Sequence, residues 1–202
     1  KMSLENMALI TNTREDKCNQ QLLNDDEATF NGKRKVQQRQ LAVLEEDPLH
    51  GSELNIGNAR LCKCGPTHIN CMSPKDWLKS QIGVWQFFYE SRDIRDKSLH
   101  PATFPISLAK KIIELFTHEG QLVLDPFVGS GTSLMAANDL NRNAVGFDLQ
   151  KKYIDLCVHR LQKHANLFNS CSQIAVQDDA RNISKYIPSD TVSLIWTSPP
   201  YA

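Results

Sequence analysis

The chain has 202 residues, of which 41% are hydrophobic, and its 23 basic and 23 acidic side chains leave no net charge. This composition supplies enough apolar material for one globular core. Without an excess of positive charge, a main surface for a nucleic-acid backbone is either missing from these residues or local. No apolar stretch approaches the ~20 residues of a membrane span and the sequence does not open on a secretory signal, so we expect a soluble, cytoplasmic protein.

Residues 1–58 are predicted to form a polar N-terminal leader. Within it, the apolar patch Leu41–Leu44 favours a short strand or helix that packs on the main domain. The basic run at 32–39 is typical of a solvated helix face, and contact with phosphate groups is the alternative. Prolines and glycines between 48 and 60 indicate a linker.

Residues 59–76 form a loop rich in cysteine and histidine. Thiolate sulfur and imidazole nitrogen are the preferred ligands of zinc, and this loop contains Cys62, Cys64, His68 and Cys71. Their spacing is tighter than the usual two ligand pairs, so free reduced thiols are the alternative to a zinc knuckle. From the sequence we assign no metal to this loop.

Residues 77–202 are predicted to form the main domain. The alternation of large apolar side chains from Val84 to Phe88 favours a strand that covers the core. Helical spacing after Pro105 predicts a helix that ends before Gly120. The order that follows, strand, helix, strand, helix, indicates a parallel sheet with helices on both faces.

A glycine turn follows the first strand of this series, Leu122 to Asp125. Its two glycines let the backbone approach a ligand without an obstructing Cβ, and the helix that begins after them offers free N–H groups. No lysine follows Gly131, so a phosphate-binding P-loop is not indicated. The turn reads Asp125-Pro126-Phe127-Val128-Gly129-Ser130-Gly131-Thr132.

Acidic residues end the next two strands as well. Asp148 closes the strand at 143–148 about 20 residues beyond the turn, which is the separation typical of a ribose-binding carboxylate. Asp178 and Asp179 follow the strand at 174–177, where an acid can accept a hydrogen bond from an adenine amino group. A single acid at such a place is usually a helix cap, but three successive strands that end in acids indicate a ligand.

The last strand, at 192–196, leads into Thr197-Ser198-Pro199-Pro200-Tyr201. The two prolines favour an extended backbone, so the Ser198 hydroxyl and the Pro199 carbonyl can accept hydrogen bonds from an exocyclic amine. Tyr201 offers a face on which an extruded base can stack. An ordinary turn with a packed aromatic ring is the alternative for these five residues alone.

Together, the glycine turn and the Ser-Pro-Pro-Tyr loop resemble the cofactor and catalytic motifs of the S-adenosylmethionine-dependent DNA amino-methyltransferases. The serine version of the loop is similar to the cytosine-N4 members, and the segment from His100 to Pro105 resembles the one that these enzymes place beside the methionine end of the cofactor. The resemblance implies an α/β, Rossmann-like methyltransferase fold, which in this sequence stops after the fourth strand of the series.

The implied reaction is transfer of a methyl group from S-adenosyl-L-methionine to the exocyclic N4 amine of a flipped cytosine in DNA. Two alternatives stay open: an adenine-N6 methyltransferase, and a cofactor-binding subunit of a split enzyme that is inactive alone. Few residues separate Ala180 from Ser198, so we expect a region after residue 202 or a second polypeptide to supply target recognition and the remaining strands.

The resemblance also assigns roles to individual residues. The catalytic residues would be Ser198, Pro199, Pro200 and Tyr201. The cofactor-binding residues would be Thr103, Phe104 and Pro105 beside the methionine, Asp125, Pro126, Phe127, Gly129, Ser130, Gly131 and Thr132 in the turn, Asp148 and Leu149 at the ribose, and Asp179 and Ala180 at the adenine.

Overall fold

The computed structural model describes residues 53–81, 83–91, 93–94, 103–163 and 170–199, together with the backbone of 41–44. Its helices and strands in chain order are β1 (Leu41–Leu44), α1 (Pro74–Lys79), α2 (Ile106–Phe116), β2 (Leu122–Asp125), α3 (Thr132–Asp139), β3 (Asn143–Asp148), α4 (Lys151–Lys163), β4 (Gln173–Gln177), a 3₁₀ helix (Ala180–Lys185) and β5 (Leu194–Ile195).

Some sequence predictions concern residues outside these ranges. They are the basic run at 32–39, the first residues of the methionine-side segment, and Pro200 and Tyr201 of the catalytic loop. Within the described ranges, every helix is too short or too polar to cross a bilayer.

The five strands form one sheet in the order β1-β4-β3-β2-β5, and every pair of neighbours is parallel. This confirms the predicted α/β, Rossmann-like architecture. The patch at 41–44 is the strand that the sequence allowed, since it pairs with β4 along its whole length. All carboxyl ends of the strands therefore lie at one edge of the sheet.

Alternate residues of the strands supply two separate cores, because successive side chains of a strand point to opposite faces. On the first face, Val123, Ala144 and Ala175 pack under the apolar sides of α2, α3 and α4. Small alanines in the middle of the sheet leave room for the helices to approach closely. The three long helices of the described residues thus share one face, whereas the sequence predicted helices on both faces.

The second face is covered by shorter pieces of chain. Leu124, Val145 and Phe147 pack there against Tyr186 and Ile187, which follow the 3₁₀ helix. The Phe147 and Tyr186 rings meet edge to face with their centroids 5.5 Å apart. Leu54 and Ile56 complete this cover, so the segment predicted as a linker is partly buried on the sheet.

The predicted strand from Val84 to Phe88 is wrong. Residues 84–90 have no regular structure, and Val84 and Phe88 are 77% and 79% exposed. The alternation of large side chains is real, but the two faces of the sheet are already covered by the α-helices and by the 3₁₀ segment. Residues 84–90 pair with none of the described strands.

The segment at 57–61 runs along the amino edge of the sheet. The Asn58 Oδ1 accepts hydrogen bonds from the Leu122 backbone N–H at 2.8 Å and from the Ser193 hydroxyl at 2.9 Å. The Asn143 side chain donates to the Gly57 carbonyl at 2.8 Å. These bonds tie the amino ends of β2, β3 and β5 to a single stretch of chain.

Candidate cofactor and catalytic site

The carboxyl edge of the sheet brings the predicted site residues into one row. Across the order β4-β3-β2-β5, the strands end at or lead into Asp179, Asp148, Asp125 and Ser198, respectively. The register pairs Asp125 with Gly146 and Asp148 with Gln177, so neighbouring strands end nearly level. A ligand that lies along this edge can reach all four positions.

The glycine turn has the backbone shape that its sequence requires. Gly131 has φ +83°, and a Cβ at this position would lie 2.3 Å from the Cys157 Sγ of α4. Only glycine fits there, because it has no Cβ and accepts a left-handed backbone. The Val128 N–H donates to the Phe147 carbonyl at 2.8 Å and fixes the turn to β3 before α3 begins at Thr132.

Asp125 supports this turn from inside. Its side chain is only 2% exposed. One carboxylate oxygen accepts the Phe127 N–H at 3.1 Å and the other accepts the Ser133 hydroxyl. Burial raises the pKa of Asp125 above its ordinary value, although the Ser133 hydroxyl acts in the opposite direction. In this structure both oxygens are therefore used to hold the shape of the turn.

Asp148 lies at the surface between the turn and the start of α4. Its carboxylate accepts the Gly129 N–H at 3.2 Å and the Gln150 N–H at 2.8 Å. The side chain is partly exposed, and each carboxylate oxygen keeps lone pairs for further donors. It is thus oriented by the backbone and still able to accept from the hydroxyls of a ligand, with the exposed Leu149 beside it.

Asp179 has a structural role in addition to the one predicted for it. It caps the 3₁₀ helix that begins at Ala180, and its carboxylate accepts from the Arg181 side chain at 2.6 Å and the Arg181 N–H at 2.8 Å. These bonds lower the pKa of Asp179 to about 2. The neighbouring Asp178 accepts from the Tyr186 hydroxyl at 2.7 Å, so it orients the second core rather than the edge.

The described part of the methionine-side segment, 103–105, reaches both halves of the site. The Thr103 hydroxyl lies 3.5 Å from the Ser130 hydroxyl of the glycine turn. The Phe104 ring packs edge to face on Trp196, with their centroids 5.9 Å apart. Pro105 then caps the start of α2. This segment therefore bridges the glycine turn and the end of β5.

The catalytic loop begins next to the glycine turn. The Trp196 N–H donates to the Leu124 carbonyl at 3.0 Å, so the chain leaves β5 directly beside the end of β2. Ser198 is partly exposed and Pro199 is exposed. Within the described residues the Trp196 ring N–H is buried and has no hydrogen-bond partner.

Sequence reasoning missed one residue of this site, Arg160. It is a buried arginine of α4, 2% exposed, and it donates to the Ser130 carbonyl at 2.5 Å and to the Thr132 hydroxyl at 3.3 Å. It thus supports the glycine turn from the helix side. The sequence did contain a signal for its burial. Arg160 comes three residues after Cys157 and lies on the same face of the helix as the buried Ile154.

A parallel sheet with a glycine turn after β2 and polar groups along its carboxyl edge defines a nucleotide-type cofactor domain. The sequence model of the DNA methylase family, N6_N4_Mtase, matches residues 17–159, which is more than half of the chain. The chain belongs to this family.

Two relatives show how far the likeness extends. The type II methyltransferase M.HpaI of Haemophilus parainfluenzae is 37% identical over 90 residues, which cover 45% of this chain and 29% of the relative. The type II methyltransferase M.HindIII of Haemophilus influenzae is 47% identical over 66 residues, or 33% of this chain and 21% of the relative. The chain thus spans less than a third of these relatives.

Among solved structures, the Thermus thermophilus protein TTHA0409, in complex with S-adenosyl-L-methionine, is 24% identical with a TM-score of 0.43. The match covers 60% of this chain and 45% of that one.

The cofactor of this family is S-adenosyl-L-methionine, and the residues present fit it. Gly131 lets the turn pack closely on α4, and α3 begins there without a side-chain cap, so its first N–H groups, which have no partner inside the helix, can face a carboxylate. Asp148 offers a partly exposed acceptor for ribose hydroxyls. Arg160 and Asp125 hold the turn from two sides, so the cradle is formed by this chain's own contacts.

Proposed function

We propose that this chain is the cofactor-binding and catalytic part of a DNA methyltransferase that methylates the N4 amine of a flipped cytosine. The observation that carries the proposal is the position of Ser198. It follows β5 immediately beside the end of β2, where Asp125 and the glycine turn form the cofactor cradle. A methyl donor and an acceptor base would meet at this junction.

The bound cofactor supplies an electrophilic methyl group on a sulfonium sulfur. The amine of cytosine is a weak nucleophile, because its lone pair is delocalised into the ring. The Ser198 hydroxyl oxygen and the Pro199 carbonyl accept its two N–H groups and turn the lone pair out of the ring plane. With the cofactor bound, the amine would attack the methyl carbon directly as the methyl–sulfur bond breaks, which would leave S-adenosyl-L-homocysteine. The amine would lose one proton to solvent, and no covalent intermediate would form on the protein.

The other residues contribute orientation. Phe104 and Trp196 pack together between the methionine side and the base side. Tyr201 stacks on the flipped base, which is worth about 1–3 kcal/mol per base in comparable sites. Two reactants held in line gain most of their rate from position, since the protein has no bond to make or break.

In this proposal residues 77–202 carry the cofactor and catalytic residues, 59–76 form the cysteine-containing loop, and 1–58 form a leader whose β1, Leu54 and Ile56 pack on the methyltransferase sheet. Target recognition is assigned to a region that follows the catalytic loop or to a second polypeptide. The stretch between Ala180 and Ser198 cannot serve, because Tyr186 and Ile187 from it are buried in the second core. The type II names of the relatives suggest a role beside a restriction enzyme.

The test is mass spectrometry of nucleosides from DNA incubated with the chain and isotopically labelled S-adenosyl-L-methionine. The matched pair of variants is Ser198→Ala at the loop and Ser184→Ala on the exposed side of the 3₁₀ helix. We expect labelled N4-methylcytosine from the wild type and Ser184→Ala, and its loss in Ser198→Ala with cofactor binding retained.

Other outcomes have distinct meanings. Labelled N6-methyladenine would replace the cytosine assignment by its adenine alternative. Cofactor binding without any labelled base would assign the chain to a subunit, and activity would then have to return on addition of a second polypeptide. Absence of cofactor binding by calorimetry would contradict the proposal as a whole.

A further inference from the structure

Four side chains with metal-binding atoms meet at the amino edge of the sheet, away from the proposed active site. They are Cys62, Cys64 and Cys71 of the cysteine-containing loop, and His118 of the turn between α2 and β2. Their ligand atoms all lie within 4.8 Å of one another. His68, which the sequence placed in the set, is exposed and outside it.

The distances within this cluster match a tetrahedral metal. The His118 Nδ1 lies 3.4 Å from the Cys62 Sγ and 3.3 Å from the Cys71 Sγ. Bonds of about 2.3 Å to sulfur and about 2.0–2.1 Å to nitrogen at tetrahedral angles separate the two kinds of ligand by about 3.6 Å. We propose that Cys62, Cys64, Cys71 and His118 bind one structural zinc ion.

The backbone around Cys71 is shaped to present this thiol. Asn70 and Cys71 both have left-handed backbone angles, φ +49° and +70°, in a tight turn closed by hydrogen bonds of 3.0 and 2.8 Å between Ile69 and Met72. A left-handed conformation is unfavourable for a non-glycine residue and persists where the surroundings require it. The Asn70 side chain anchors the turn to α2 through the Leu115 carbonyl at 2.5 Å.

Charges and hydrogen bonds around the cluster suit a bound metal. Three thiolates and a Zn²⁺ ion carry a net charge of −1, and the Arg60 guanidinium compensates it by donating to the Cys62 Sγ at 3.0 Å. The Glu119 backbone N–H donates to the Cys71 Sγ at 3.4 Å. Such outer donors orient the ligands of metal sites in proteins.

The metal would hold two distant segments of the chain together. His118 lies 47 residues after Cys71 and 56 after Cys62, so the metal closes a long loop of chain. The Leu61 N–H also donates to the Glu119 carbonyl at 2.8 Å beside it. The metal site therefore fixes the cysteine-containing loop to the turn from which β2 starts. This structural role is independent of the proposed methyl transfer.

The first measurement is the metal content of the chain, purified under reducing conditions and dialysed against metal-free buffer. We expect about one zinc ion per chain, released by a thiol-specific reagent as three thiols react, and a lower melting temperature after chelation. Replacement of zinc by Co²⁺ should give the visible absorption of a tetrahedral thiolate site.

Matched variants distinguish the proposed ligands from other histidine and cysteine residues of the chain. His118→Ala and Cys71→Ser should each lose zinc, whereas His68→Ala and Cys171→Ser should keep it. If the ligand variants do not fold, the metal content and the cobalt spectrum of the wild type still show whether the chain binds a metal in a tetrahedral thiolate site. Wild-type protein without zinc and with free thiols, a disulfide among these cysteines, or zinc lost in His68→Ala but kept in His118→Ala would each overturn the proposal.

Discussion

The substitution Gly131→Ala tests the geometry of the cofactor turn. The new Cβ would lie 2.3 Å from the Cys157 Sγ and 3.0 Å from its Cβ, and the residue would keep a left-handed backbone at φ +83°. The backbone term costs about 1–2 kcal/mol and the overpacking about 1–3 kcal/mol. We therefore expect the free energy of unfolding to fall by about 2–5 kcal/mol, a large part of the stability of a typical domain.

The second substitution, Cys157→Ala, separates these two contributions. It removes the sulfur that the new methyl group would meet, so it relieves the overpacking and leaves the backbone strain. The double variant should be more stable than the sum of the single effects predicts, by about 1–3 kcal/mol. Gly83→Ala is the control, because nothing lies within 4 Å of a Cβ at that position.

Urea unfolding of the wild type, the two single variants and the double variant measures the free energies of the double-mutant cycle. Calorimetry with S-adenosyl-L-methionine measures the affinity of each protein for the cofactor. Weaker cofactor binding should accompany Gly131→Ala and recover partly in the double variant. Equal stability of Gly131→Ala and Gly83→Ala, or additive effects in the cycle, would show that the close contact with α4 does not exist.

Three further predictions concern the same site. Asp148→Ala should weaken S-adenosyl-L-methionine binding by about 1–3 kcal/mol through lost charged hydrogen bonds, with the exposed Asp155→Ala as control, and unchanged calorimetry would refute the ribose role. Arg160→Met, similar in length but without donors, should weaken cofactor binding about 10-fold or more, equivalent to about 1.4 kcal/mol, because the turn loses its support. Equal affinity of Arg160→Met and wild type would contradict that role. Burial raises the pKa of Asp125, so folding favours its neutral form, and its contribution to stability should rise as the pH falls through the folded pKa towards the ordinary value of 3.8. Asp125→Asn should lack this rise in urea unfolding between about pH 7 and 4, and parallel curves for the two proteins would disprove it.

The sheet and the row of site residues could be predicted because their signals are local. Gly131 and Asp148 follow short apolar strands, and strands joined by helices place their carboxyl ends on one edge. The order of groups across the sheet does not follow from the order of motifs along the chain, because β5 pairs with β2 and not with β4. The helix-capping role of Asp179 was also visible locally, as the alternative to ligand binding.

The remainder depends on contacts between distant parts of the chain. His118 replaces His68 in the cysteine cluster because the turn before β2 folds back on the loop, and no spacing in the sequence reports that. Arg160 is buried only because the glycine turn supplies acceptors for it. Phe88 is exposed although it lies in a strand-like pattern. Alternation of apolar residues predicts which side chains would share one side of a strand, but it does not supply a neighbouring strand with which to pair.

The attachment of β5 has a consequence for the order of events at the site. Two register pairs, Val123 with Leu194 and Leu124 with Ile195, join it to β2. The flanking Ser193 and Trp196 N–H groups add bonds to the Leu122 and Leu124 carbonyls, and Ile195 is 61% exposed. Segments with so few buried contacts open at a lower free energy than the centre of a domain. The half that receives a base can thus fluctuate while the cofactor half stays formed, and the Trp196 amide should exchange its hydrogen faster than the Val128 amide. This difference in local stability favours an order in which the cofactor binds before the base is captured.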